Sequence, residues 1–336
     1  MNARHNILLS DLTKAYQQSK IPLHVVCDYL KAEDKPVGRS WDDLYEKNKN
    51  ELDLLDNILA EINCFGCKTI FAFDAKEINL DSLRLFQVDE SSFYTKAFKN
   101  YAYYLPIKKI DTHDYCAISF GRTKYAYEIY NLVEGDLTQM ARQKFWKSNT
   151  TVKLKSEIPV LVFDGLVHDR LNNILFVLID NKRFSFDESA SDMCSHFMAF
   201  LEASFPGVAG CEPIDLFPLI EGIYNRSSEG LVHRLAFECS TGVSRDEKLK
   251  TGQLDLRDEG YHVSGKAAIG GKVSPYKIGI TWTTQKNKGL RSQVCFELHG
   301  QKINLHKQGG IFFGAATSYN MFDELCFNLK RIGLYV

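Results

Sequence analysis

The chain reads as an α+β protein, with a mixed β-sheet core flanked by helices and followed by a β-rich C-terminal domain. Three observations predict this. Residues 157–186, EIPVLVFDGLVHDRLNNILFVLIDNKRFSF, hold the densest run of β-branched and aromatic residues in the chain. The continuous apolar runs at 160–163 and Ile174–Ile179 suit strands covered on both faces. Helical spacing recurs before and after this stretch, whereas beyond residue 212 the pattern turns to alternation.

Length and composition bound the reading. At 336 residues the chain is long enough for two domains. We place the first at 1–205, with a helix-strand-strand-strand-helix core at 121–205, and the second, basic and β-rich with a C-terminal helix, at 212–336. The break falls in FPGVAGCEP, where Pro and Gly end the preceding helix pattern. The start, MNARHNILLSDL, has neither the apolar core nor the cleavage site of a secretory signal. No run of about 18 apolar residues argues for a membrane span. Nine scattered cysteines read as reduced thiols, so a cytoplasmic protein is expected.

The net charge of −1 conceals a gradient. Residues 1–100 carry 13 Lys+Arg against 16 Asp+Glu, whereas 226–310 carry 14 against 8. The C-terminal third is therefore the better candidate for a surface that faces phosphates.

In chain order, 7–19 has helical spacing, and LHVVCDYL after Pro22 reads as a strand. A second helix is expected over 40–62. Cys64-Phe65-Gly66-Cys67 and an apolar strand follow. A zinc site would need His113 and Cys116 from His113-Asp114-Tyr115-Cys116 as further ligands, but the gap of about 45 residues exceeds the usual spacing in compact zinc modules. A redox site would want the order strand, CxxC, helix. The preferred reading is a helix end with Gly66 in the left-handed position and the thiols in the core.

Over 92–109, six aromatics alternate with four lysines. That interleaving suits either a stacking platform for single-stranded nucleic acid or a strand with lysines at its rim. Residues 121–146 place Ala126, Ile129, Tyr130, Val133, Leu137 and Met140 at three- and four-residue steps, predicting a helix. Leu171-Asn172-Asn173 supplies turn chemistry between the two central strands. A helix is expected over 189–205. Strands are expected at 231–240, 275–284, 291–298 and 301–306, with a turn at Lys286-Asn287-Lys288-Gly289 and a last helix at 318–332.

Both central strands end in an aspartate, Asp164 and Asp180, and Lys182 follows the second. The order of elements over 121–205, with an aspartate and then Asp-x-Lys 16 positions on, resembles the PD-(D/E)XK nuclease pattern. The resemblance covers roughly 85 residues and rests on three side chains. It implies that Asp164 and Asp180 hold Mg²⁺ and that Lys182 orients the attacking water, with Glu128 or Glu134 completing the site. Val162-Phe163 stand where the pattern commonly has Pro. Two strand ends capped by Asp and Asn would look the same.

Gly260-Tyr-His-Val-Ser-Gly265-Lys266-Ala267 matches GxxxxGK by letters, but Ala267 cannot ligate Mg²⁺ and Ile269-Gly270-Gly271 makes a poor helix start, so an NTPase is not expected. The wider stretch 245–272 reads instead as a glycine-rich basic loop. Its Arg245, Lys248, Lys250, Arg257, Lys266 and Lys272 are candidate phosphate contacts. Five acidic residues in the same stretch could pair with them. The leading expectation is a nucleic-acid-binding component of a larger intracellular assembly with other protein subunits, acting through this domain and away from membranes. The alternatives are the metal-dependent nuclease and a protein-interaction subunit without a nucleic-acid role.

Overall fold

The computed structural model describes residues 21–66, 68–75, 81–88, 103–146, 152–180, 185–249, 254–285, 291–300 and 308–313. The expected helices at 7–19 and 318–332, the strand at 301–306, the turn at 286–289 and most of the aromatic stretch at 92–109 lie outside them, as do Cys67, Lys182 and Lys250.

Three helices open the described chain: α1 (Leu23–Ala32), α2 (Trp41–Lys47) and α3 (Leu52–Phe65). The segment expected as a strand after Pro22 is helix α1. Its two adjacent valines favour a strand locally, but Val26 and Leu30, four apart, are fully buried with Leu44, Leu55 and Leu59. Packing decides the conformation over propensity. The helix expected over 40–62 is two helices. Ser40 Oγ caps the first by accepting the Asp43 amide at 3.2 Å, and the buried Asn48 side chain donates to the Pro36 and Leu44 carbonyls at its end.

Strand β1 (Thr69–Asp74) and the short α4 (Asp81–Leu85) precede β2 (Leu105–Asp111), β3 (Tyr115–Leu132), α5 (Gln139–Phe145), β4 (Val152–Asp169) and β5 (Ile174–Ile179). Helix α6 (Ala190–Ser204), β6 (Glu212–Pro213) and α7 (Phe217–Asn225) lead to β7 (Leu231–Cys239), β8 (Ser244–Lys248), α8 (Gly260–Ala268), β9 (Val273–Gln285), β10 (Arg291–Gly300) and β11 (Gln308–Phe313). The fold is α+β, and every strand pairing among the described residues is antiparallel. The order is β2-β3-β4-β5-β1-β11-β10-β9-β7-β8, with β6 beside β1. Strands from both sides of residues 206–211 thus share one sheet.

β5 is buried along its whole length, as its unbroken apolar run predicts. Its alternate residues serve opposite faces. Leu175, Val177 and Ile179 pack on Met193, Phe197 and Leu201 of α6. Ile174, Phe176 and Leu178 join a cluster with Leu219, Ile220 and Ile223 of α7. The turn into β5 forms where expected, with Asn173 at φ 55°. Asp169 holds it by accepting the Leu171 and Asn172 amides at 3.0 and 3.2 Å.

The largest departure is at 121–146. The expected helix is the second half of β3, a 3₁₀ turn at Glu134–Asp136 and α5. Alternate residues Tyr125, Tyr127 and Ile129 are aromatic or β-branched, and cross-strand pairing with β4 outweighs the coincident helical spacing. The 245–272 stretch departs too. It is strand β8, a 3₁₀ turn and helix α8 rather than a glycine-rich loop.

Candidate functional site

The expected catalytic aspartates meet at the end of the β4–β5 ladder, and both have no solvent exposure. Asp164 Oδ1 accepts the Asp180 amide at 2.9 Å, and Asp180 Oδ2 accepts the Phe163 amide at 3.0 Å. Their remaining contacts diverge. Asp164 Oδ2 accepts the Tyr104 hydroxyl at 3.0 Å and lies 3.8 Å from Arg122 Nε. Asp180 Oδ2 lies 3.3 Å from the buried Lys68 ammonium, which also donates to the Phe163 carbonyl at 2.5 Å. Burial pushes the Asp164 carboxyl above its ordinary range, opposed by the Asp180 amide and Arg122. Burial and the charge of Asp164 push the Tyr104 phenol up as well. The Arg122 guanidinium lies over the Tyr104 ring, 4.3 Å from its centroid.

This donor set does not fit Mg²⁺. The ion demands a near-octahedral shell of oxygens and usually keeps several waters. Here protein amides, a hydroxyl and an ammonium already occupy both carboxylates, without solvent contact. Among the described residues no three His, Cys, Asp or Glu side chains converge to hold a metal. Glu128 and Glu134 are also not brought to the aspartates. Phe120 pairs with Asp164, and Glu128 stands eight residues further along β3, about 26 Å away at strand rise. Glu134 is exposed at the far turn. Lys68, Arg122 and Tyr104, which sequence reading missed, hold the pair instead; a lysine immediately before a strand gives no periodic sign of burial.

Cys64 lies in the last turn of α3, and β1 starts at Thr69, the order the residues predict. Gly66 has φ −82°, so it is not the left-handed cap expected; the chain leaves α3 extended after the Gly66 amide bonds Ile62. His113 and Cys116 do not converge. The His113 side chain is 91% exposed, whereas Cys116 is buried with its thiol toward the Leu83 carbonyl.

The five described candidate phosphate contacts fall into different roles. Arg257 is structural: it bonds both Asp255 oxygens, at 2.9 and 2.6 Å, and the carbonyls of Ile223, Arg226, Ser227, Glu229 and Gly230. Arg245 bonds the Tyr261 hydroxyl at 2.9 Å, and Lys266 lies over the Tyr224 ring. Lys248 and Lys272 are exposed. Acidic neighbours interrupt the field, since Asp246 contacts both Arg234 and Lys277.

The most exposed apolar surface lies elsewhere. β3 and β4 pair over 18 residues each, but β2 covers β3 only to Gly121 and β5 covers β4 only to Gly165. Among the described residues, 122–132 and 152–162 therefore continue as a two-stranded ribbon. Ala126, Val160 and Val162 anchor its base with Phe186, and the Tyr127 amide bonds the Ser185 carbonyl at 2.9 Å. Lys155 lies 3.5 Å from the Tyr127 ring centroid and pairs with Asp187 at 2.7 Å. Beyond this, no strand among the described residues pairs with the ribbon. Of 14 exposed large hydrophobic residues among those described, seven lie on the ribbon and its tip: Tyr125, Ile129, Tyr130, Val133, Met140, Phe145 and Leu154.

No family model matches the chain, and no curated protein matches it. No helix among the described residues is long and apolar enough to cross a membrane.

Proposed function

We propose that the protein works as a binding subunit that docks another protein on the β3–β4 ribbon. The observation that carries this reading is the concentration of half the exposed large apolar side chains on that one projection. Scattered surface hydrophobics are ordinary, but here they gather on one element and its tip, with Tyr125 and Ile129 on one face and Tyr130 and Leu154, paired across the strands, on the other. The chemistry favours protein over nucleic acid. Ile129, Val133, Met140 and Leu154 offer aliphatic contact, whereas single-stranded nucleic acid calls for stacked rings along a basic groove. Residues 122–158 carry seven basic and four acidic side chains, so charged groups are interspersed with the apolar ones.

The test is site-specific photo-crosslinking in cells, with a photoreactive residue at 125, 129 or 154 and controls at the exposed Tyr261 and Val263. The reading predicts a discrete protein adduct from ribbon positions, lost when Ile129 and Leu154 are both replaced by Ser. Adducts that nuclease digestion removes would transfer the function to nucleic acid. Protein adducts only from 261 and 263, or none from any position, would overturn it.

A further inference from the structure

We infer that the partner on the ribbon is a protein with an acidic surface, which meets the cations of α5 and of the start of β4. The inference rests on the ribbon as a protein-docking surface and deepens it by naming the partner's charge.

The charges along the ribbon are separated. Residues 139–146 and 152–156 carry Arg142, Lys144, Lys153 and Lys155 and no acidic residue. Lys155 is balanced by Asp187 at 2.7 Å. The other three are exposed. Arg142 directs its Nε–H to the Leu137 carbonyl at 3.0 Å, and Lys144 lies over the Phe145 ring, 5.3 Å from its centroid. Among the described residues no carboxylate forms an ion pair with Arg142, Lys144 or Lys153.

The ribbon's own carboxylates stand elsewhere. Glu128 on β3 accepts the Tyr130 hydroxyl, Asp136 accepts the Val133 amide at 2.9 Å, and Tyr127 donates to Glu157. These three turn onto ribbon groups, and Glu134 is exposed in the turn. Exposed cations that the chain leaves without counter-charges attract an acidic surface and repel a basic one.

Apolar groups are interleaved with these cations. Met140 and Phe145 flank Arg142 and Lys144 in the chain and are 79% and 54% exposed. Lys153 pairs with Asn131 across the strands, which sets it on the face of Tyr125 and Ile129. Apolar contacts with charges at their margin are the composition of a protein interface, where the charges steer the approach. A lipid surface fits less well. Tyr125 stands eight residues before Val133, about 26 Å along a strand, so a bilayer reached by the tip leaves Tyr125 uncovered.

The test is photo-crosslinking in cells from position 129 of the full chain in four backgrounds. These are wild type; Arg142→Glu with Lys144→Glu and Lys153→Glu; the same three positions changed to Gln; and Lys144→Arg with Lys153→Arg. The Glu variant should lower the yield of the protein adduct about tenfold, the Gln variant should lower it less, and the Arg variant should match wild type. In lysate, raising NaCl from about 0.1 to about 0.5 M should lower the wild-type yield, and the crosslinked peptide should map to a surface rich in Asp and Glu. Equal yields from the Glu variant and wild type, a loss in the Arg variant as well, or a yield indifferent to salt would overturn the acidic partner, while the adduct itself would leave the docking reading standing. No adduct from wild type, or one that nuclease digestion removes, would remove both.

Discussion

Asp164 Oδ1 accepts the backbone amide of Asp180 at 2.9 Å, so a carboxylate within β4, which runs on past the strand end expected at Asp164 to Asp169, closes the end of β5. Asp180 returns the contact by accepting the Phe163 amide at 3.0 Å. This reciprocal clasp places two carboxylates in the interior, where an acid without a partner is unfavourable. Lys68 supplies the buried positive charge beside Asp180.

Removing that charge should be costly. Lys68→Met leaves Asp180 buried without its cation, and a loss of about 3–5 kcal/mol is expected in urea denaturation. Lys68→Met combined with Asp180→Asn should recover part of it. A single variant as stable as wild type would show that Lys68 does not hold Asp180.

The same arrangement predicts indifference to divalent cations. A ligand that binds only the folded state raises stability by mass action. Millimolar Mg²⁺ should therefore leave Tm unchanged against a control of equal ionic strength. A rise in Tm abolished by Asp164→Asn would restore the metal site that the Asp-x-Lys pattern suggested.

Asp56 sits in α3 with Oδ1 buried and unbonded, and burial raises its pKa from 3.8 to about 6. The folded state thus holds the proton more tightly than the unfolded chain. Stability from this group is present below about pH 4 and lost as pH rises through about 6. Asp56→Asn removes the dependence. The variant should be more stable than wild type at pH 7.5 by about 1–2 kcal/mol, allowing for partial exposure. The difference should vanish near pH 4, and thermal melts across that range measure it. A constant difference would contradict the assignment.

Arg257 joins Asp255 to five backbone carbonyls around the end of α7. Lysine cannot reproduce that planar fork. Arg257→Lys should cost about 2–4 kcal/mol, because buried carbonyls lose their donors, whereas Lys248→Ala and Lys272→Ala should change stability by under about 0.5 kcal/mol. Equal effects from all three would mean that Arg257 is an ordinary surface cation.

What could be read from sequence followed the period of the apolar pattern. The run Ile174–Ile179 has one interpretation as a strand, and it is fully buried. Residues 126–140 satisfied the helical period by coincidence while 125–129 also alternated, and cross-strand pairs with β4 decided between them. The same error placed Glu128 near Asp164 when the strand carries it far away. Lys68 was illegible because charge favours the surface, and only its pairing with Asp180 makes burial tolerable. That the described part of β2 begins opposite Gly121, so that β3 and β4 run on as a ribbon, is a long-range fact that no local pattern contains.

The ribbon as a protein-docking surface is the central claim, and photo-crosslinking from position 129 tests it most directly. A photoreactive residue at 129 should give a discrete protein adduct in cells, lost when Leu154 is replaced by Ser, whereas one at the exposed Val263 should give none. Adducts at 129 that nuclease digestion removes, or no adduct from 129, would contradict the account.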